Sequence, residues 1–97
     1  MDVVKAMGIA WYRPEQYERI RSIMIDGANL SASYEKWLQG AEQGIKTMTE
    51  QGWIVERIYI EPDAFIEWCK SRSLNVDSHA RQTFVIEAIN AKYRKRD

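Results

Sequence analysis

The chain has 97 residues, 45% of them hydrophobic and 29% charged, and its 14 basic and 14 acidic side chains cancel at neutral pH. This composition is typical of one soluble globular domain over residues 1–97, and the balanced charge provides no overall field to attract nucleic acid or an anionic membrane. One cysteine and one histidine exclude an intrachain disulfide and the usual Cys/His zinc site, and the lack of a membrane-length apolar run leads us to expect a cytoplasmic protein.

The first predicted elements are a strand and a helix. Residues 8–12 read as a short strand. We expect residues 1–7 to form a tail before it, and the alternatives are an added piece of the strand or residues upstream of a start at Met7. Pro14 suits the first position of a helix, where its missing N–H is not needed. Apolar residues then recur at helical spacing, and the turn-forming residues that follow predict a helix end near Ile25.

The middle of the chain predicts a long helix followed by the central strand. Either Ser31 or Ser33 can cap a helix over about 33–51, which carries one apolar face. Gly52 is placed to end that helix. Residues 53–60 are rich in β-branched and aromatic side chains and predict a strand that is apolar on both faces.

Two further helices are predicted in the last third of the chain. Pro62 begins the third helix, and Asp77 caps the fourth, which runs to about Arg94. Residues 95–97 are expected to form a second tail.

The order of these elements suggests an internal repeat. A strand, a proline, an acid and an aromatic residue occur near Pro14 and again near Pro62, and two helices follow each time. We therefore expect an α+β fold of two pseudo-repeated β-α-α halves, about 8–52 and 53–94. A pseudo-twofold between the halves predicts a small two-stranded antiparallel sheet packed with four helices.

Three aromatic residues are candidate anchors for a protein partner. Trp11 and Tyr12 flank opposite faces of a short strand, so we expect that only one of them points into a small core. Trp53 follows the glycine that ends the long helix. Exposed aromatic side chains are frequent anchors at protein interfaces.

Basic residues near the end of the chain give an alternative site, for nucleic acid. They are Arg81, Lys92, Arg94, Lys95 and Arg96. Their simpler interpretation is a solvated helix end, and the alternative is contact with phosphates.

No set of catalytic residues is evident. Cys69 lies on an apolar stripe, which predicts a buried, inert thiol, and His79 is expected at the surface. Glu15 and Asp63 occupy equivalent positions in the proposed repeat, but acids at two helix starts are explained by the helix dipole. We expect no catalytic residue, no metal and no cofactor.

Gly40 and Gly44 lie four residues apart in the long helix. Each costs about 1 kcal/mol relative to alanine in a helix interior, which suggests a structural reason for them. We expect close approach by another helix through Ala88 and Ala91, and the alternative is a shallow groove for a partner or ligand.

Three motifs resemble a group of small, uncharacterised bacterial proteins. They are Trp-Tyr-Arg-Pro-Glu-Gln-Tyr over 11–17, Tyr-Glu-Lys-Trp-Leu over 34–38 and Tyr-Ile-Glu-Pro-Asp-Ala-Phe-Ile-Glu-Trp-Cys over 59–69. The resemblance covers about residues 9–93. It implies a bacterial, cytosolic origin and carries over no functional residue, because that group has no assigned activity.

These patterns favour a non-enzymatic protein–protein interaction module that associates with itself, because short strands leave open edges and aromatic residues are abundant. The partner is then an unknown protein or a second copy of the chain. The alternative is a weak nucleic-acid-binding or regulatory protein that uses the basic end of the fourth helix.

Overall fold

The structure is a computed structural model that describes residues 5–93. They form an α+β fold with two strands and four helices, as predicted. The elements are β1 (Ala6–Trp11), α1 (Tyr17–Ile23), α2 (Tyr34–Glu50), β2 (Ile54–Tyr59), α3 (Pro62–Ser71) and α4 (Ser78–Tyr93). Short 3₁₀ turns occupy Pro14–Gln16 and Gly27–Asn29. In this part of the chain, no helix is both long enough and apolar enough to cross a membrane.

The two strands pair in parallel, so the predicted antiparallel sheet is wrong. Ala6 lies opposite Ile54 and Trp11 opposite Tyr59, in one continuous register. A parallel pair needs a crossover connection of a dozen or more residues. Here α1 and α2 form that connection and return the chain to the end of the sheet where β1 began.

The structure also gives no support to the predicted internal repeat. A twofold that exchanged the two strands would make them antiparallel, and they are parallel. The helices of the two proposed halves also differ in length, since α1 spans Tyr17–Ile23 while α3 spans Pro62–Ser71. The similar phrases around Pro14 and Pro62 therefore reflect the same local rule for starting a helix.

Helices lie on both faces of the sheet. α4 packs mainly on β1, while α2 packs on β2. Because side chains alternate along a strand, Gly8 faces α4 and Trp11 faces the opposite side, where it meets Trp37 of α2 at a ring distance of 5.0 Å. The sheet is thus the middle layer between α2 and α4.

Local side chains begin the helices as the sequence predicts. Ser33 Oγ accepts a hydrogen bond from the Lys36 amide at 3.2 Å, and Asp77 Oδ1 accepts one from the Ala80 amide at 3.0 Å. Pro62 is the first residue of α3. These caps satisfy amides that have no partner within the first turn of a helix.

The first strand begins earlier than predicted, at Ala6 instead of residue 8. Ala6 and Met7, assigned to a tail from the sequence, pair with Ile54 and Val55. The composition of residues 1–7 does not predict this earlier start. Ala6 and Met7 belong to the strand because the first residues of β2 lie opposite them.

The core lies where the carboxyl ends of the strands meet α1, α3 and α4. Its fully buried side chains include Tyr17, Ile20, Ile60, Phe65 and Cys69. One further contact ties the start of α4 to the loop after α1: Asp26 accepts a hydrogen bond from the Ser78 amide at 3.1 Å and lies 3.4 Å from Arg81 Nη1.

Candidate interaction surface

The outer edge of β1 is open among the residues that the structure describes. The Ile54 amide donates to Lys5 O at 2.8 Å, and the Ile60 amide donates to Trp11 O at 3.0 Å. In a parallel pair, alternate residues of each strand point their polar backbone groups toward the partner strand. The amides and carbonyls of Ala6, Gly8 and Ala10 therefore point away from β2.

A groove runs beside this edge, between β1 and the outward flank of α4. It consists of two adjoining cavities of about 450 and 350 Å³, and Gly8, Val85 and Ile86 line both. Ala10 and Gln82 line the first cavity, while Ala6 and Asn90 line the second. α4 consequently runs antiparallel to β1, with Ile86 level with Gly8.

The groove exists because α4 approaches the sheet closely at a glycine. A Cβ atom at position 8 would lie 2.6 Å from Val85 Cγ1, 2.7 Å from Ile89 Cγ1 and 3.1 Å from Ile58 Cγ1. Since Ile58 belongs to β2, the buried side of α4 lies above the line between the two strands. Among residues 5–93, the elements packed on this face leave the strip above the outer edge of β1 uncovered.

Over the part of α4 that the structure describes, the flank beside the groove is uncharged. Gln82, Ile86 and Asn90 follow one another at a spacing of four residues, and all three are exposed. Ile86 is 57% exposed, although it is a large aliphatic residue. Of the described residues that line the groove, Arg81 alone is charged, and its side chain is 12% exposed and paired with Asp26.

The outer edge of β2 differs from that of β1. By the same alternation, the residues of β2 whose backbone amides and carbonyls point away from β1 are Val55, Arg57 and Tyr59. Arg57 is exposed, and its guanidinium lies 4.6 Å from the centre of the Trp11 ring. A charged residue on an edge strand opposes pairing with another strand.

The predicted aromatic anchors do not form an exposed site. Trp11 is 6% exposed and Tyr12 2% exposed, so neither is the partly exposed anchor that the strand pattern predicts. Tyr12 follows the last residue of β1, and it turns into the core beside Tyr17, whereas Trp11 lies under Trp37. Trp53 is half-buried, with Lys5 Nζ 4.9 Å from its ring centre.

The two predicted basic residues that the structure describes are held by carboxylates. Arg81 pairs with Asp26, and Lys92 Nζ lies 3.0 Å from Glu56 Oε1. Hydrogen bonds from Tyr93 and Lys92 hold the pKa of Glu56 below its usual range. Arg94, Lys95 and Arg96 lie outside the described residues.

The remaining candidates from the sequence are one buried thiol and three exposed side chains, those of Glu15, Asp63 and His79. Cys69 is fully buried, which raises the pKa of its thiol, and His79 is exposed, as expected for both. Asp63 forms an ion pair with Arg19 at the surface. Within residues 5–93, no three His, Cys, Asp or Glu side chains cluster closely enough to hold a metal ion.

Gly40 and Gly44 face open space. Apart from the adjoining backbone of α2 itself, no described atom lies within 4 Å of the position that a Cβ would take at either residue, so the predicted approach by Ala88 and Ala91 is wrong. The close approach occurs at Gly8 instead.

Sequence reasoning missed the β1 groove, although two signals for it are present. Small residues alternate along β1 at Ala6, Gly8 and Ala10, and Ile86 lies off the main apolar stripe of α4. Neither feature alone predicts a groove. Together they indicate one only when it is known that α4 packs against β1.

No protein-family model matches the sequence, and neither a curated protein nor a solved structure matches it. The resemblance to a group of bacterial proteins therefore stays a hypothesis.

Proposed function

We propose that this chain is a non-enzymatic protein–protein interaction module that binds its partner along the outer edge of β1. The observation that supports the proposal is the uncharged strand edge, with the polar backbone groups of Ala6, Gly8 and Ala10 directed outward beside an apolar groove. An extended segment added to such an edge gains main-chain hydrogen bonds, and the groove beside it selects side chains.

The groove favours a particular kind of segment. Alternate side chains of an added strand point to the same face. Those on the α4 face would meet Val85 and Ile86, where an aliphatic side chain gains most from leaving water. A segment with uncharged, apolar residues at alternate positions fits best, because the groove lining within residues 5–93 offers a carboxylate or ammonium group no free partner of opposite charge.

We also propose a cytoplasmic, bacterial setting. The resemblance of the motifs supports it, and so does Cys69, which lies unpaired in the core. Free thiols are usual in reducing compartments.

The nucleic-acid alternative has less support. Arg81 forms an ion pair with Asp26, and Lys92 forms one with Glu56. Two of the five basic residues are thus bound to carboxylates of the chain itself. A titration of a labelled duplex at low and moderate salt tests it, because phosphate contacts give affinity that falls steeply with salt.

Site-specific photo-crosslinking in cells tests the main proposal. A photoreactive aromatic residue at Gln82 lies on the groove wall, and the same residue at exposed Gln39 of α2 is the control. We expect protein adducts at position 82, none at 39, and loss of the adducts when Ala10→Pro blocks the edge. Absence of adducts at 82, or adducts that survive Ala10→Pro, would overturn the proposal.

A further inference from the structure

We infer that the strand which fills this edge is β1 of a second copy of the chain, antiparallel to the first and centred on Gly8. The inference rests on the proposed function of the same edge and names its occupant. The result would be a continuous four-stranded sheet, with two parallel pairs joined antiparallel at their β1 strands.

The backbone pattern of β1 suits this pairing. In an antiparallel pair, two residues whose polar groups both point inward exchange two hydrogen bonds. With the twofold axis at Gly8, Ala6 meets Ala10 of the second copy and Gly8 meets Gly8 of the second copy. Every outward amide and carbonyl of these three residues then finds a partner, without a shift of register.

The same axis brings the two α4 helices together correctly. α4 runs antiparallel to β1, and Ile86 lies level with Gly8 because both line the two cavities. Rotation about Gly8 therefore places Ile86 against Ile86 of the second copy. It also places Gln82 beside Asn90 of the second copy, so that each amide side chain gains a hydrogen-bonding neighbour.

There is room for both helices. The buried side of α4 reaches across β1 to β2, since Tyr93 donates to Glu56 at 2.5 Å and Val85 and Ile58 meet above Gly8. Each helix is thus set back from the outer edge of its own strand. The exposed row of α4, with Ile86 at its centre, spans the remaining gap.

Charge favours the outer edge of β1 over the outer edge of β2 as the site for a second copy. A twofold at the β1 edge brings together alanines, glycines, Ile86 and uncharged amides. A twofold at the outer edge of β2 would place Arg57 opposite Arg57 of the second copy, and like charges directly opposite each other are destabilising. A second copy therefore binds at β1 and not at β2.

Sedimentation equilibrium of the full chain gives the first test. We expect the wild-type protein to have about twice the mass of one 11.4 kDa chain, and Ile86→Glu to have the mass of one chain. Ile25→Glu is the matched control: Ile25 is 72% exposed and lies outside the groove, so this variant stays dimeric. Circular dichroism checks that both variants are folded.

Cysteine cross-linking gives the second test, of register. Under mild oxidation, Gln82→Cys mixed with Asn90→Cys forms a disulfide-linked pair, and Ile86→Cys links to itself. Gln82→Cys alone does not, because the two copies of position 82 lie on opposite sides of the twofold, about 12 Å apart along the helices. Efficient linkage of Gln82→Cys to itself would overturn this register.

A wild-type chain that stays monomeric at high concentration would overturn the inference that the occupant is a second copy. The proposed function fails on a different result, which is the absence of edge-dependent adducts at position 82. A monomer that still forms such adducts with another protein keeps the function and loses the second copy.

Discussion

Gly8 determines how closely α4 approaches the sheet. The side chains of Val85 and Ile89 occupy the space where any other residue at position 8 would place its Cβ. A glycine in a strand interior often marks such an approach by another element. Gly8 also lies at the centre of the groove, since it lines both cavities. The short distance between β1 and α4 at this residue forms the bottom of the groove.

Gly8→Ala should destabilise the protein by about 1–3 kcal/mol, the usual cost of forcing one methyl group into a filled core. Urea denaturation measures this, and Val85→Ala in the same chain should recover part of the loss. Gly44→Ala is the matched control. Outside the adjoining backbone of α2, no described atom lies within 4 Å of its Cβ position, and alanine should stabilise the helix by about 1 kcal/mol. Equal stability of Gly8→Ala and wild type would refute this account of the packing.

At the scale of one element, proline substitutions at two neighbouring residues of β1 distinguish its outer edge from its paired edge. The amide of Ala10 points outward, while that of Ile9 points toward β2 by the alternation of a parallel ladder. Ala10→Pro should therefore abolish self-association and leave the folded structure intact. Ile9→Pro removes a hydrogen bond of the sheet itself and should lower the melting temperature.

Sedimentation and thermal unfolding of both variants check this prediction. If Ala10→Pro remains dimeric, the outer edge of β1 is not the interface. If Ile9→Pro has the same melting temperature as the wild type, the assignment of inward and outward amides is incorrect.

The sequence predicts elements better than it predicts their arrangement. Caps at Ser33 and Asp77 and the start of α3 at Pro62 were predicted correctly, because each depends on residues within one helical turn. The direction of β2 was not, since it follows from the path of the whole segment between the strands. The groove likewise combines residues from the two ends of the described chain.

The burial of both Trp11 and Tyr12 shows why alternation misleads at the end of a strand. The pattern of opposite faces holds only while the chain stays extended and paired, and β1 ends at Trp11. The last ladder pair is Trp11 with Tyr59, so Tyr12 lies beyond it, and its carbonyl accepts a hydrogen bond from Tyr34 at 3.2 Å. A residue just beyond a strand is free to turn into the core.

For the molecule as a whole, the buried tyrosines contribute to the response of stability to alkaline pH. Burial raises the pKa of Tyr12 and of Tyr17 above the ordinary tyrosine value of 10.0. Above that value the unfolded chain loses these protons while the folded chain keeps them, so stability is full below about pH 10 and falls as pH rises further.

Unfolding by urea at a series of pH values from neutral to alkaline, followed by tyrosinate absorbance, measures this dependence. Tyr12→Phe keeps the ring and removes the ionisable group, so its stability should fall less steeply with pH. A wild-type stability that stays level well above pH 10 would contradict the prediction.

The position of α4 over β1 also bears on how the chain folds during synthesis. β1 is the first described element to leave the ribosome, and α4, which covers one of its faces, is the last. Contacts between distant parts of a chain slow folding, because the intervening loop must close first. β1 has no strand beside it until β2 has been made, and the face that α4 covers stays bare until residues 78–93 have followed. The strand is therefore most open to other chains while the protein is still being synthesised, and neighbouring nascent copies on one messenger would be the first to meet it.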